Sequence, residues 1–227
     1  MRVLAIDTAL AQCAVGVIDT GRAEPLAAEA IAMERGHAEA LVPMIERVMA
    51  RVEGGFPTLG RIAVTVGPGS FTGLRVGIAA ARAIALASGV PAVGVTTLSA
   101  LIAPEIVEAR QRFVVAAIDA RGGRVYAQVL APNGRPLIKP SIVSVKDIVR
   151  ALGSGPIVLT GSGAAAVAAD AWNVGLDIRV QPGSLVPDIA WVARLGAVAN
   201  PADALPKPFY LAPPDAKPQD GASVARQ

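Results

Sequence analysis

The chain has 227 residues, 53% of them apolar and 17% charged, so it can bury its own core and is not intrinsically disordered over most of its length. Lysines and arginines number 21 against 18 acids, a weakly basic balance that permits contact with nucleic acid without indicating it. One cysteine and one histidine exclude an internal disulfide, the common kinds of zinc site and any site that needs two imidazoles from one chain.

The mean hydropathy of +0.51 raises the question of a membrane segment. The best candidate, Val76–Val90, is shorter than the roughly 20 residues that a spanning helix needs, and it contains Arg82. The apolar run Val3–Ile6 stops at Asp7, which is not typical of a signal peptide. We therefore expect a cytoplasmic protein that has no membrane partner.

The first half of the chain predicts three strands followed by alternating helices and strands. Short apolar runs at Arg2–Asp7 and Cys13–Ile18 indicate a hairpin, and Leu26–Met33 a third strand. Apolar residues then recur at three- and four-residue steps from His37 to Val52, which predicts a helix. The elements predicted after it are strand Arg61–Val66, glycine-rich loop Gly67–Gly73, helix Leu74–Ser88, strand Pro91–Val95 and helix Leu98–Ala103.

The same order of elements recurs in the second half, although the pattern is weaker. The predicted elements are strands Phe113–Asp119, Arg124–Leu130 and Leu137–Val143, helix Val145–Leu152, strand Ile157–Thr160, helix Ala164–Trp172, strand Asp177–Val180 and helix Val186–Ala199. We predict an α/β protein of two duplicated lobes, each a mixed sheet covered by helices, with a generic doubly wound sheet as the alternative. The lobes are assigned to residues 1–104 and 105–200, and a proline-rich tail, 201–227, is expected to be extended or disordered.

Two acids at equivalent points of the halves are candidates for a nucleotide cleft. Asp7 ends the first strand and is followed by Thr8, while Asp119 ends the matching strand of the second half and lies two residues before Arg121. A carboxylate beside a tight turn can face a phosphate–metal unit, and the hydroxyl and turn amides add contacts. The alternative is that each acid only caps its turn.

The glycine-rich stretch Gly67–Gly77 lies between a predicted strand and a predicted helix. Its glycines allow close approach of the backbone to a partner, and the helix N-terminus can seat an anion. No lysine follows the glycines, so this is not a Walker A loop. A strand–helix connection built for tight packing is the alternative. The loop residues that a nucleotide site would use are Gly67, Gly69, Ser70, Thr72 and Gly73.

The helix that begins at Leu74 is apolar nearly all round, with Arg75 and Arg82 as its charges. Such a helix must be covered on more than one side, which favours a subunit interface over burial in this chain's own core alone. For His37, a capping or surface role is favoured over catalysis. The residues predicted to form the interface are His37, Leu41, Met44, Ile45, Val48, Leu74, Gly77, Ile78, Ala81 and Ala85.

Several segments, in their order and spacing, are similar to those of a known family. They are LAIDTA, GHAEALVPMI, TVGPGSFTGLRVG, GVTTLSAL, IDARGGRVYAQ and FYLAPPDAKPQ. On these segments, which span nearly the whole chain, the sequence resembles the bacterial TsaB family, and the long glycine block is the most specific of them. It departs from the family at Ala212, where a basic residue is usual, and at Arg124, where an acid is frequent.

The resemblance implies an actin-like, ribonuclease H-like fold and a place in the complex that adds a threonylcarbamoyl group to adenosine in tRNA. It implies a non-catalytic subunit that forms a heterodimer with its paralogue TsaD, that is joined by the ATPase TsaE and that meets tRNA only through the complex. TsaD-like catalysts hold a metal through two helical histidines, whereas this chain offers His37 and then Leu41, so no catalytic or metal-binding residue is expected.

The same resemblance implies no cofactor of the chain's own, with ATP or ADP and Mg at the complex interface as the open alternative. Whether the chain forms a homodimer when alone also stays open. A stand-alone ATPase or phosphotransferase of the same fold is the alternative function. A peptidase is disfavoured because the chain has a single histidine.

Overall fold

The computed structural model describes residues 1–108, 111–120, 122–182 and 185–211. Within these ranges the chain forms two five-stranded sheets and six α-helices. The strands are β1 (Arg2–Asp7), β2 (Gln12–Asp19), β3 (Ala27–Ala32), β4 (Leu59–Gly67), β5 (Ala92–Thr96), β6 (Phe113–Asp119), β7 (Arg124–Leu130), β8 (Pro136–Ser144), β9 (Ile157–Thr160) and β10 (Ile178–Val180). The helices are α1 (His37–Ala50), α2 (Phe71–Ser88), α3 (Thr97–Glu108), α4 (Val145–Ala151), α5 (Ala164–Asn173) and α6 (Ile189–Val198).

The two sheets have the same topology. The first sheet has the order β3-β2-β1-β4-β5 and the second has the order β8-β7-β6-β9-β10. In each, the first three strands pair antiparallel, while the fourth pairs parallel with the first and the fifth parallel with the fourth. This repeated mixed order confirms the predicted duplication and the α/β class, and it does not agree with a generic doubly wound sheet.

The last helix of each half packs on the sheet of the other half. Ile189 and Val192 of α6 lie in one apolar cluster with Val3 of the first sheet. Leu98 of α3 lies in another cluster with Ile118 of the second sheet. The division of the chain into residues 1–104 and 105–200 stays a prediction, but the helices at the ends of these segments join the two halves.

Two contacts hold α6 against β4 of the first sheet. The absent side chain of Gly196 lets the helix approach Ala63 closely. The Arg61 guanidinium donates from Nη1 to the carbonyl oxygens of Gly196, Ala197 and Ala199, at 2.9, 2.8 and 2.7 Å. A cation at a helix C-terminus satisfies carbonyls that have no intrahelical partner and faces the negative end of the helix dipole.

Helix α2 is three residues longer at its start than the sequence pattern predicts. Ser70 caps it, since its Oγ accepts a hydrogen bond from the Gly73 N–H, and the helix runs for 18 residues to Ser88. Among the residues that the structure describes, α2 is the one helix long and apolar enough to cross a membrane by length and composition alone. This corrects the expectation that no segment meets that test, although Leu74 and Ile78 of α2 pack in the core of the first lobe.

The predicted proline-rich tail begins with an ordered segment, residues 204–211, which we call the C-terminal strap. The Gly94 N–H donates to the carbonyl of Ala204 at 2.8 Å, and the Phe209 N–H donates to the carbonyl of Val66 at 2.7 Å. Phe209 packs against the core of the first lobe and Leu211 against the cluster beneath the second sheet. The strap is therefore ordered and held in place by packing and hydrogen bonds. Residues 212–227 lie outside the described residues.

We expect two truncations of the tail to differ. Removing residues 212–227, which contain one large aliphatic residue, Val224, should leave the melting temperature nearly unchanged. Removing residues 209–227 should lower it by about 4–8 °C, because the burial of Phe209 is worth about 2 kcal/mol. Thermal unfolding followed by circular dichroism measures both, and equal melting temperatures would contradict the anchoring role of Phe209.

Candidate functional site

Asp7 ends β1 with a fully buried carboxylate whose oxygens are all engaged. Its Oδ1 accepts from the Thr65 hydroxyl at 2.6 Å and from the Ala9 N–H at 3.0 Å. Its Oδ2 accepts from Gln12 Nε2 at 3.2 Å, and the same nitrogen donates to the Pro187 carbonyl at 2.9 Å. Burial raises the pKa of Asp7 above its ordinary value, although the hydrogen bond from Thr65 opposes that shift.

His37 is buried at the start of α1 and holds the turn between β1 and β2. Its Nε2 lies 3.1 Å from the Gln12 carbonyl oxygen and 3.3 Å from the Leu10 carbonyl oxygen. Because both neighbours are acceptors, Nε2 carries the proton and donates to them. The side chain therefore fastens α1 to the turn that follows Asp7, which is a structural role.

The glycines of the loop pack against the turn after β1. The Thr8 hydroxyl donates to the Gly73 carbonyl at 2.7 Å. A Cβ added at Gly69 would lie less than 3.0 Å from the Ala9 carbonyl, and one at Gly73 or Gly77 equally close to an oxygen of Thr8. The close backbone approach that the glycines allow is therefore made with this chain's own backbone and not with a ligand.

The start of the loop is covered in the same way by other parts of the chain. Gly67 has φ +119°, and a Cβ there would lie 2.6 Å from the Phe209 carbonyl oxygen of the strap. The Ser70 N–H donates to the Ala9 carbonyl at 2.7 Å. Thr72, another of the predicted loop residues, is exposed on the first turn of α2, and Ser70 is the residue that caps the helix.

The residues of the first lobe do not fit a phosphate–metal unit. The oxygens of Asp7 already accept three hydrogen bonds, and the backbone of Thr8 and Ala9 occupies the space in front of the loop glycines. The alternative interpretations of both motifs, a turn-capping acid and a tightly packed strand–helix connection, match this geometry. Among residues 1–108, 111–120, 122–182 and 185–211, no group of three or more His, Cys, Asp or Glu side chains is placed to hold a metal ion.

Asp119, the second-lobe counterpart of Asp7, has a different environment. It is exposed at the end of β6, and its N–H donates to Ser162 Oγ at 3.2 Å. Arg121 lies outside the described residues. The structure thus brings Asp7 and Thr8 together with the glycine loop, but it gives the two acids dissimilar surroundings despite their equivalent places in the fold.

Sequence reasoning missed a cavity of about 340 Å³ that lies beside Gln12, between α3 and the start of α6. Its polar lining comes from Gln12, Glu105, Gln181 and Asp188, and Glu105 is buried. These residues come from three distant parts of the chain and belong to no motif. No signal in the sequence could have grouped them, because only the exchange of α3 and α6 between the lobes does so.

The predicted interface residues lie inside this chain. Every one of them is buried, most in the core beneath the first sheet. The interface with a partner stays a prediction. In this structure those side chains pack within the chain, those of α1 against β2, β3 and α2 and those of α2 mainly against β4. The exposed side chains of α2 that recur along one face of the helix are Phe71, Arg75, Ala79, Arg82 and Leu86. We call this surface the α2 face.

The buried carboxyl of Asp7 predicts a pH dependence of stability. Because its pKa in the folded chain is raised above 3.8, the unfolded carboxyl loses its proton first as the pH rises. The contribution of Asp7 to the free energy of unfolding is therefore present below pH 3.8 and is lost as the pH rises through the folded pKa.

The variant Asp7→Asn removes this dependence. We expect its free energy of unfolding, relative to that of the unmodified chain, to increase as the pH is raised from 4. Urea unfolding of both proteins between pH 4 and pH 8 measures the difference. A difference that does not change with pH would contradict the raised pKa.

The repeated strand order, with a helix exchanged between the halves, defines a two-lobed α/β protein of the actin-like class. The model of the family described as "TsaD: tRNA N6-adenosine threonylcarbamoyltransferase" matches residues 30–182. The chain belongs to this family, and the relatives named below show that it is of the TsaB type.

The Escherichia coli K12 protein named tRNA threonylcarbamoyladenosine biosynthesis protein TsaB is 36% identical over 126 residues, 56% of this chain and 53% of that protein. The chain thus spans about half the length of the curated TsaB relatives that it matches. An uncharacterized protein of Mycobacterium tuberculosis H37Rv is 30% identical over 95% of this chain and 94% of its own length. A Pseudomonas aeruginosa structure described as similar to the peptidase YeaZ has a TM-score of 0.74 at 24% identity, over 93% of this chain and 99% of that one, and it shares the fold.

Proposed function

We propose that this chain is a non-catalytic subunit that pairs with a TsaD-type transferase and supports the formation of threonylcarbamoyladenosine in tRNA. Its TsaB relatives are named for that biosynthesis, and its family is described as the transferase itself. The chain has one histidine, His37, which donates to backbone carbonyls. A chain whose one histidine is engaged with its own backbone suits the role of a partner of the catalytic subunit better than the role of a second catalytic subunit.

The α2 face is the observation that carries this proposal. Leu86 is 86% exposed and Phe71 44% exposed, and both lie on a face about 23 Å long that also presents Ala79. Its charges come from Arg75 and Arg82, and residues 54–104 of the sequence contain no acid. An exposed apolar helix face with arginines is the composition of a protein-binding surface, and its chemistry suits a helix that carries apolar side chains and carboxylates.

The remaining expectations follow from this role. The isolated chain should have negligible ATPase and transfer activity, because its glycine loop is filled by its own backbone. ATP or ADP with Mg would bind at the interface with TsaD and not in the glycine loop, and TsaE would join as a further partner. The chain would meet tRNA only through the complex, in the cytoplasm. No observation favours the alternative of a stand-alone ATPase or phosphotransferase.

Reconstitution tests the proposal. The purified chain is mixed with the TsaD protein of the same organism, binding is measured by calorimetry, and threonylcarbamoyl transfer to tRNA is measured with each protein alone and with both. We expect a heterodimer and no turnover by the chain alone. The absence of a complex would contradict the partnership, and turnover of about one per second by the isolated chain would contradict the non-catalytic role.

A matched pair of variants locates the surface. Leu86→Asp should weaken TsaD binding by about 100-fold, because it places a carboxylate in the apolar α2 face. Val198→Asp at the end of α6, where the side chain is 82% exposed, should leave binding unchanged. Equal binding by both variants would show that the partner does not meet the α2 face.

A further inference from the structure

A cluster of two rings and a guanidinium joins the C-terminal strap to the α2 face. The rings of Tyr210 and Phe71 stack with their centroids 5.5 Å apart and their planes at 27°. The guanidinium carbon of Arg75 lies 3.8 Å from the centroid of the Phe71 ring, and Arg75 Nε donates to the Tyr210 hydroxyl at 3.4 Å. Stacking and cation–π contact hold the three side chains as one unit.

Tyr210 is not the residue that fastens the strap. On one side of it, Phe209 donates its N–H to Val66 and packs on the core, and on the other side Leu211 packs beneath the second sheet. Tyr210 instead stacks on Phe71 of α2, and the two residues are 45% and 44% exposed. The strap is thus anchored by the neighbours of Tyr210, and the cluster leaves two aromatic residues partly exposed.

The cluster lies at one end of the α2 face. Phe71 and Arg75 belong to that face, so Tyr210 extends it beyond the first turn of α2. Tyrosine and arginine are enriched among the residues that dominate binding energy at protein interfaces. Aromatic and guanidinium groups that are already held in place lose little side-chain freedom when a partner covers them.

We propose that Tyr210, Phe71 and Arg75 form one end of the partner-binding surface, so that the C-terminal strap is part of the interface with the TsaD-type partner. This inference rests on the proposed function. A matching surface would lay an apolar side chain on the two rings and point a carboxylate at Arg75. A second copy suits the surface less well, because two α2 faces that met about a two-fold axis would bring arginines together.

The test compares two exposed aromatic residues. Tyr210→Ala should weaken binding of the full-length chain to TsaD by at least 10-fold in calorimetry, and Tyr210→Phe by less, because the stack is retained. Trp172→Ala on α5, where the ring is 58% exposed, should bind as the unmodified chain does. Tyr210→Ala that binds like the unmodified chain would overturn the inference.

A second test uses the unmodified chain, so its result does not depend on whether a variant folds. Hydroxyl-radical labelling of Tyr210, followed by mass spectrometry, should fall at least threefold when TsaD is added, while labelling of Trp172 stays constant. Unchanged labelling of Tyr210 in a formed complex would overturn the inference and leave the proposed function intact. Failure of the unmodified chain to bind TsaD would instead overturn the proposed function. Protection of Tyr210 at high concentration of the chain alone would show that a second copy of this chain covers the surface, and it would overturn the choice of TsaD as the partner.

Discussion

Ala81→Glu is expected to unfold the chain, whereas Ala79→Glu, two residues earlier on α2, should leave it folded and abolish binding to TsaD. Ala81 is fully buried in the core of the first lobe, so a glutamate there places an unpaired charge among apolar side chains. That costs about 3–5 kcal/mol, a large part of the total stability of a typical domain. Ala79 is exposed on the α2 face, where the added carboxylate stays in water until a partner covers it.

Circular dichroism with thermal unfolding, followed by calorimetry with TsaD, separates the two outcomes. The same substitution is used twice on one helix, so helix propensity and net charge are matched. If Ala81→Glu folds like the unmodified chain and loses only its partner, the interface prediction made from the sequence is supported. If Ala79→Glu binds TsaD normally, the partner meets another surface.

Gly73→Ala is expected to destabilise the chain by about 1–3 kcal/mol, the cost of adding a methyl group to a packed site. Helix propensity alone predicts the opposite sign, because alanine in a helix is favoured over glycine by about 1 kcal/mol. Gly73 lies in the first turn of α2, but a Cβ there would lie less than 3.0 Å from the Thr8 carbonyl oxygen, which is backbone and cannot move aside alone. The steric cost of the added methyl group is therefore larger than the stability that the higher helix propensity of alanine contributes.

Gly21→Ala is the matched control for this substitution. Gly21 lies in the turn after β2, has no restricted backbone angle, and its added Cβ would meet only Asp19 Oδ1, at an ordinary 3.7 Å. We expect its free energy of unfolding to stay within about 0.5 kcal/mol of the unmodified value. Urea unfolding of both variants measures the difference, and a stabilised Gly73→Ala would show that the loop is free to move away from the turn.

The sequence by itself determined the local elements and their repetition. Apolar residues with a period of two or about 3.6 report which face of a strand or helix is buried, so the hairpins and most helices were correctly predicted. The resemblance to the TsaB family added the fold class, which the two sheets confirm. The structure places Asp7 and Thr8 beside the loop glycines, because β1 and β4 are neighbouring parallel strands that end at the same edge of the sheet.

Only the tertiary structure decided what those grouped residues do and which helix faces are free. A small residue in a helix favours close approach, but the sequence does not state whether the approaching atoms belong to this chain or to a partner. Here Gly69 and Gly73 meet the backbone of Ala9 and Thr8, 60 and 65 residues away in the chain, and Ala81 packs in the core of the first lobe.

The strap and the exchange of α3 and α6 were likewise decided by contacts between distant parts of the chain. Phe209 meets Val66, and Arg61 meets the end of α6, across separations of more than 130 residues. Local patterns report how much of a side chain must be covered, because burial depends on the chemistry of that side chain. They do not report what covers it, because the covering atoms come from segments whose position is set only when the whole chain is packed.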